Sequence, residues 1–149
     1  MPYQVIYSSH ANQAMSVEDL AEILEDARAG NETRGVTGAL VFVDGVFLQI
    51  LEGDKDTVLS LMRSIAADSR HSAVKVFHEA EVDQRAFGSW RMAYLDASAK
   101  QLSEWLGLPG SGTIEFILAD LDRDPTKEVL IYPGSPGWQR RLQPATMVP

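Results

Sequence analysis

The order and period of its apolar residues predict an α+β chain, with helices packed on one face of a mixed sheet. Three observations carry that prediction. Several short segments alternate or run apolar at strand length, two segments between them repeat apolar residues at helical spacing, and Asp44-Gly45 divides two of the strands as a tight hairpin. The resulting order, βαββαββ, is that of a ferredoxin-like sandwich with two helices on one sheet face and the other face in need of cover.

Tyr3 to Ser9 reads as the first strand, with Tyr3, Val5 and Tyr7 on one face and Gln4, Ile6 and Ser8 on the other. Ser16 is a candidate N-cap, with Asp19 completing a capping-box variant, and Leu20, Ile23, Leu24 and Ala27 follow at helical spacing up to Gly30, a natural stop. Thr37 to Val43 and Val46 to Glu52 are strands joined by Asp44-Gly45, the dipeptide best suited to a type I′ turn. In that register Leu40 lies opposite Gln49, and Phe47, Gln49 and Leu51 share a face. Gly53-Asp54 opens a second helix, capped by Asp54, with Val58, Leu61, Met62, Ile65 and Ala66 as its apolar stripe and an end near Asp68. A fourth strand is expected over Ser72 to Ala80, then a loop through Arg85-Ala86-Phe87-Gly88, then a fifth strand from about Trp90 with Trp90, Met92 and Tyr94 on one face.

The chain of 149 residues suits one domain and an appendage. Residues 1–97 form the expected domain. Residues 98–132 form a helical extension, with Leu102, Trp105 and Leu106 on one short helix and Ile114, Ile117, Leu118 and Leu121 behind Thr113 on another. These helices are expected to cover the open sheet face, because apolar patches that large are rarely left exposed. Residues 133–149, rich in Pro and Gly, read as a loosely ordered tail.

Thirteen basic against 21 acidic residues give a net charge of −8, which opposes the phosphate neutralisation that nucleic-acid binding requires. No apolar run approaches the ~20 residues of a membrane span, and the first residues lack a signal-peptide pattern, so a cytoplasmic location is expected. With no cysteine there is no disulfide, thiolate metal site, thiol nucleophile or cysteine adduct with a cofactor. The 3 histidines are too scattered for a zinc site. Asp120 to Asp124 mimics the start of a calcium loop, but Pro125 stands where glycine is needed, so this stretch reads as a helix end. An acylphosphatase-type enzyme shares the strand order, yet Ser8-Ser9-His10-Ala11 supplies neither the glycines nor the arginine of its phosphate loop. No catalytic constellation is visible, so the chain is expected not to be an enzyme.

The informative residue is Gln49, an amide inside an otherwise apolar strand. Left unpaired in the interior it would cost about 1–3 kcal/mol, so it needs a partner. In a ferredoxin-like sheet the first and third strands are adjacent, which brings Tyr7 within reach of Gln49. Asn31 after the first helix, and Asp68, Arg70 and His71 after the second, would converge with them on a groove lined by Ile23 and Ile65. Singly these are a satisfied hydrogen bond, a turn residue and a solvated helix cap. Together they suit a flat ligand with an amide-like edge, its ring held between Ile23 and Ile65, its carbonyl and N–H edge met by Asn31 and a second carbonyl by Arg70. The isoalloxazine ring of a flavin has those groups. The same groove would also serve a ligand-sensing regulatory module without photochemistry, whose preparation would be colourless.

Five ordered stretches resemble the BLUF domain, a blue-light sensor using flavin: Tyr7-Ser8-Ser9; Asn31 before Gly35-Val36-Thr37-Gly38; Phe47-Leu48-Gln49-Ile50-Leu51-Glu52-Gly53; Asp68-Ser69-Arg70-His71; and Phe87-Gly88-Ser89-Trp90-Arg91-Met92. The resemblance covers residues 3–97, and the extension is loosely similar to that of short single-domain members. It implies that Tyr7 is a redox-active tyrosine, Gln49 a switching glutamine and Asn31 a contact to the flavin's polar edge, with Trp90 and Met92 as reporters in the fifth strand. It further implies that Tyr7 gives an electron and a proton through Gln49 under blue light, and that recombination leaves Gln49 rotated or tautomerised. FAD is the implied cofactor; FMN and riboflavin share the ring that the pocket would hold. Output would pass to a separate effector protein or through self-assembly as a homo-oligomer. Gly30 and Ser64 depart from the pattern, standing where other members often carry larger polar side chains.

Overall fold

The structure, a computed structural model, describes residues 1–88, 91–95, 98–107 and 129–130. Trp90, the second helix expected in the extension, the Asp120 to Asp124 stretch and the tail lie outside the described residues. The elements are β1 (Tyr3–Ala11), α1 (Val17–Arg34), β2 (Thr37–Val43), β3 (Val46–Gly53), α2 (Lys55–Ala66), β4 (His71–Glu81), β5 (Ala93–Leu95), α3 (Ala99–Leu106) and β6 (Val129–Leu130). They build the expected α+β sandwich on a six-stranded sheet of order β4-β1-β3-β2-β5-β6. No described helix is long and apolar enough to cross a membrane.

The sheet separates two apolar layers because strand side chains alternate between its faces. On one face Val5, Tyr7, Phe47 and Leu51 pack with Leu20 and Leu24 of α1 and Val58 of α2. On the other, Ile6, Val41, Leu48 and Ile50 pack with Phe87 and with Leu102 and Trp105 of α3. The first helix of the extension therefore covers the open face. A capping box between Ser98 and Gln101 starts that helix.

Register follows the hairpin. Asp44 and Gly45 both take positive φ, 50° and 80°, as a type I′ turn requires, and Leu40 sits opposite Gln49 across β2 and β3. β1 pairs antiparallel with β3, placing Tyr7 directly against Gln49. Where β2 crosses β3, a β-carbon on Gly38 would stand 1.9 Å from the Ile50 carbonyl oxygen. Gly38→Ala is expected to push the strands apart and cost about 3 kcal/mol or more, read as a lowered denaturant midpoint. A midpoint within error of the parent protein would show that the two strands approach less closely in solution.

Four expectations about boundaries and caps need correction. α1 does not stop at Gly30 but continues to Arg34, and Gly35 is the left-handed cap at φ 68°. Val36 is buried in the layer below α1, and its N–H closes on the Asn31 carbonyl at 3.0 Å, so the turn falls where the chain must drop into the sheet. Asn31 is consequently a helical residue, 2% exposed, and not a turn residue. Asp54 occupies the N-cap of α2, but its carboxylate makes no capping bond to the backbone and receives the Thr57 hydroxyl at 3.5 Å. β5 begins at Ala93, short of the expected start near Trp90.

Glu52, at the far end of β3, is wholly buried. Its carboxylate accepts from Gln4 Nε2 at 2.9 Å, the Ala86 N–H at 2.6 Å and the Phe87 N–H at 2.8 Å, with the Thr37 hydroxyl at 3.4 Å. A buried carboxyl group is tolerated only with such hydrogen-bond partners. Here they fasten the loop before β5 to β1, β2 and β3.

Candidate ligand-binding site

Between α1 and α2, floored by the sheet, lies a cavity of about 220 Å³. All eight residues proposed for a ligand from sequence line it: Tyr7, Ile23, Asn31, Gln49, Ile65, Asp68, Arg70 and His71. Its side walls are aliphatic, from Ile23 and Ala27 on α1 and from Leu61 and Ile65 on α2. Each pair is four residues apart, a step that puts helix side chains on one face.

The inner end is polar. The Tyr7 hydroxyl donates to Gln49 Oε1, while Gln49 Nε2 donates to the Met92 sulfur at 3.6 Å. The carboxamide is thus strung between a phenol and a thioether, both nearly or fully buried. Thioether sulfur is a weak acceptor, so the Nε2 end is held more loosely than the Oε1 end. Burial pushes the Tyr7 phenol above its ordinary pKa, with the Asp68 charge adding to the effect, so Tyr7 keeps its proton through neutral pH. Asn31 Nδ2 donates to the Arg91 carbonyl at 2.6 Å, which ties α1 to the segment carrying Met92. A carboxamide has two N–H groups and an oxygen with two lone pairs, so Asn31 retains capacity for a ligand.

The outer end is charged. Arg70 forks onto Asp68, Nη2 to Oδ2 at 2.6 Å and Nε to Oδ1 at 3.1 Å, and reaches Asp26 at 3.6 Å. The Arg70 hydrogen bond holds Asp68 below the usual carboxylate value, partial burial opposing it. Arg70 is thereby committed to two carboxylates as well as facing the cavity. His71 Nε2 lies 2.6 Å from the Ile65 carbonyl, which can only accept, so that nitrogen carries the proton; Nδ1 lies 2.8 Å from the Ser9 hydroxyl. The Phe47 ring meets the His71 ring edge-on, centroids 6.3 Å apart.

Asp26 and Arg34 also line the cavity and were not singled out from sequence; Ser64, noted there only as a departure from the family pattern, lines it as well. Ending α1 at Gly30 hid Arg34, and Asp26 was legible only as the residue one turn beyond Ile23. Met92, expected within the fifth strand, stands just before β5 and accepts from Gln49 Nε2, a contact the sequence did not indicate.

Residues 3–93 match the family model described as BLUF, sensors of blue-light using FAD. The photoactivated adenylate cyclase subunit alpha of Euglena gracilis is 45% identical over 83 residues, which is 56% of this chain and 8% of that protein. The chain spans about a tenth of the length of the curated relatives it matches. Among solved structures, BlsA in its ground state superposes with a TM-score of 0.71 at 28% identity, covering 81% of this chain and 87% of that one. BlrB, a BLUF protein in its dark state, gives a TM-score of 0.67 at 28% identity over 80% of this chain and 97% of that one.

Proposed function

The chain belongs to the BLUF family of flavin-based blue-light sensors, and on that footing we propose that it converts light absorbed in the cavity between α1 and α2 into a rearrangement of hydrogen bonds around Gln49. The observation that carries this reading is the Gln49 carboxamide held between Tyr7 and Met92 at the polar end of an aliphatic slot. That slot fits an isoalloxazine: two aliphatic walls for the ring, and carboxamides at Gln49 and Asn31 for its carbonyl and N–H edge. Ile23 and Ile65 would hold the ring, Asn31 its polar edge, and Asp68, Arg70 and His71 the outer end. FAD is the proposed cofactor, and FMN or riboflavin would present the same ring.

A bound flavin supplies absorption of blue light and, once excited, an electron vacancy. Tyr7 would then be the residue that gives one electron, its hydroxyl proton leaving along the existing bond to Gln49, and it would regain both, so that the chain undergoes no net redox change. Gln49 is left rotated or as its tautomer. Turning the carboxamide exchanges Oε1 and Nε2 and costs the weak sulfur contact, a change on the order of 1 kcal/mol. So small a difference acts as a bias on a two-state element rather than a forced motion. We place that element at β5 and the segment before it, where Met92 and Trp90 stand, with α3 behind the sheet as the route outward. Residues 1–97 then form the sensor and 98–132 its output extension, acting on an effector protein or on a second copy of the chain.

Purified protein is expected to be yellow, with flavin absorption that shifts reversibly to the red under blue light. Gln49→Leu keeps the pocket's size but removes both ends of the carboxamide, so it should bind flavin and show no red shift. A persisting shift in that variant would remove Gln49 from the switch. A colourless preparation that takes up no added FAD would favour a regulatory module without photochemistry.

A further inference from the structure

Gly30 stands inside α1, where glycine costs about 1 kcal/mol relative to alanine. The structure shows what uses the space. A β-carbon on Gly30 would lie 2.6 Å from Nη1 of Arg34 and 3.7 Å from its Cζ, so Arg34, one turn further on, lays its guanidinium back over the glycine. Arg34 also lines the cavity between the helices, beside Asn31. Among the described residues its guanidinium makes no hydrogen bond or ion pair: Asp26 and Asp68 are engaged by Arg70, and Glu32 by Arg91. A fork of donors without an acceptor thus borders the polar side of the slot, and the missing side chain at Gly30 makes room for it.

We propose that Arg34, admitted by Gly30, is a cofactor-binding residue of this pocket, donating to a carbonyl oxygen of the flat ring the pocket takes. The inference rests on reading the cavity as a flavin site and adds a contact to it. A guanidinium suits a carbonyl edge because it offers several coplanar N–H groups and a permanent charge. That charge also favours electron gain by the ring, so Arg34 would raise the cofactor's midpoint potential as well as its affinity.

The pair Gly30 and Arg34 offers a test that a merely structural role would fail. In Gly30→Ala the atom forced to move is the tip of a flexible side chain, so the helix should be at least as stable while the guanidinium is displaced. The full chain, Gly30→Ala, Arg34→Gln and the double variant are titrated with FAD and with riboflavin, and the midpoint potential of each bound flavin is measured. Each single variant is expected to raise the Kd about tenfold and lower the potential. The double variant should be no worse than Arg34→Gln, since both changes remove one contact. Riboflavin, lacking phosphates, should show the same fold-change, which assigns the contact to the ring rather than the tail. Gly30→Ala with the parent's affinity and potential, additive effects in the double variant, or a loss confined to FAD would each overturn the role of Arg34 and leave the flavin site standing. A parent chain that takes up no flavin would overturn both.

Discussion

Tyr7→Phe is expected to leave a protein that folds, binds flavin and stays yellow, yet shows no red shift under blue light. The change removes one oxygen from a nearly buried ring, so the packing of Tyr7 against its neighbours on the helix-facing side of the sheet is preserved. What disappears is the hydroxyl that donates to Gln49 Oε1. Phenylalanine is also far harder to oxidise and has no acidic proton, so it can replace neither the electron nor the proton that the proposed cycle takes from this position. The Gln49 acceptor loses its partner, a cost of about 1–3 kcal/mol that lowers stability without unfolding a domain of this size. The measurement is a difference spectrum, dark against illuminated, beside a thermal melt. A normal photocycle in Tyr7→Phe would refute the mechanism while leaving the family intact.

Trp105→Ala carries the largest expected effect on stability, a loss of about 3–5 kcal/mol. Trp105 is fully buried and packs with Ile6, Val41, Leu48 and Ile50 on the face opposite the cavity. Its removal empties the largest side chain of that layer and loosens α3, so the apolar face that the extension covers would be partly exposed. A denaturant titration should show the lower midpoint, and if α3 is the route outward, the light-induced spectral shift should survive in variants where the downstream response fails. A loss under about 1 kcal/mol would mean that α3 does not rest on the sheet in solution.

Much of the fold was legible because its signals are local. Asp44-Gly45 announces its turn, the strand period assigns Tyr7 and Gln49 to the helix-facing side, and the capping box of Ser16 and Asp19 starts α1 as expected. Where two local signals compete, the sequence reads ambiguously. Gly30 and Gly35 are both credible helix stops, and the choice is made by Val36, whose burial places the turn at Gly35. That misjudged end carried a cost at the site, since Arg34 and the helical setting of Asn31 followed from it. Ala73 takes φ 54° in the irregular stretch of β4 opposite β1, and an alanine gives no sign of a left-handed backbone.

Residue type and spacing were enough to specify the element order from β1 to α3, though not the β6 strand, together with the two apolar layers and the presence of an amide that required a partner. They could not say that Gln49 would be shared between a phenol and a sulfur, that Arg70 would be bound to Asp68 and Asp26, or that Glu52 would gather donors from β1, β2 and a distant loop. Periodicity is a property of neighbours along the chain, repeated at every turn or pleat. A hydrogen-bond partner is a property of neighbours in space, selected only when all the elements have packed and the buried polar groups have nowhere else to turn.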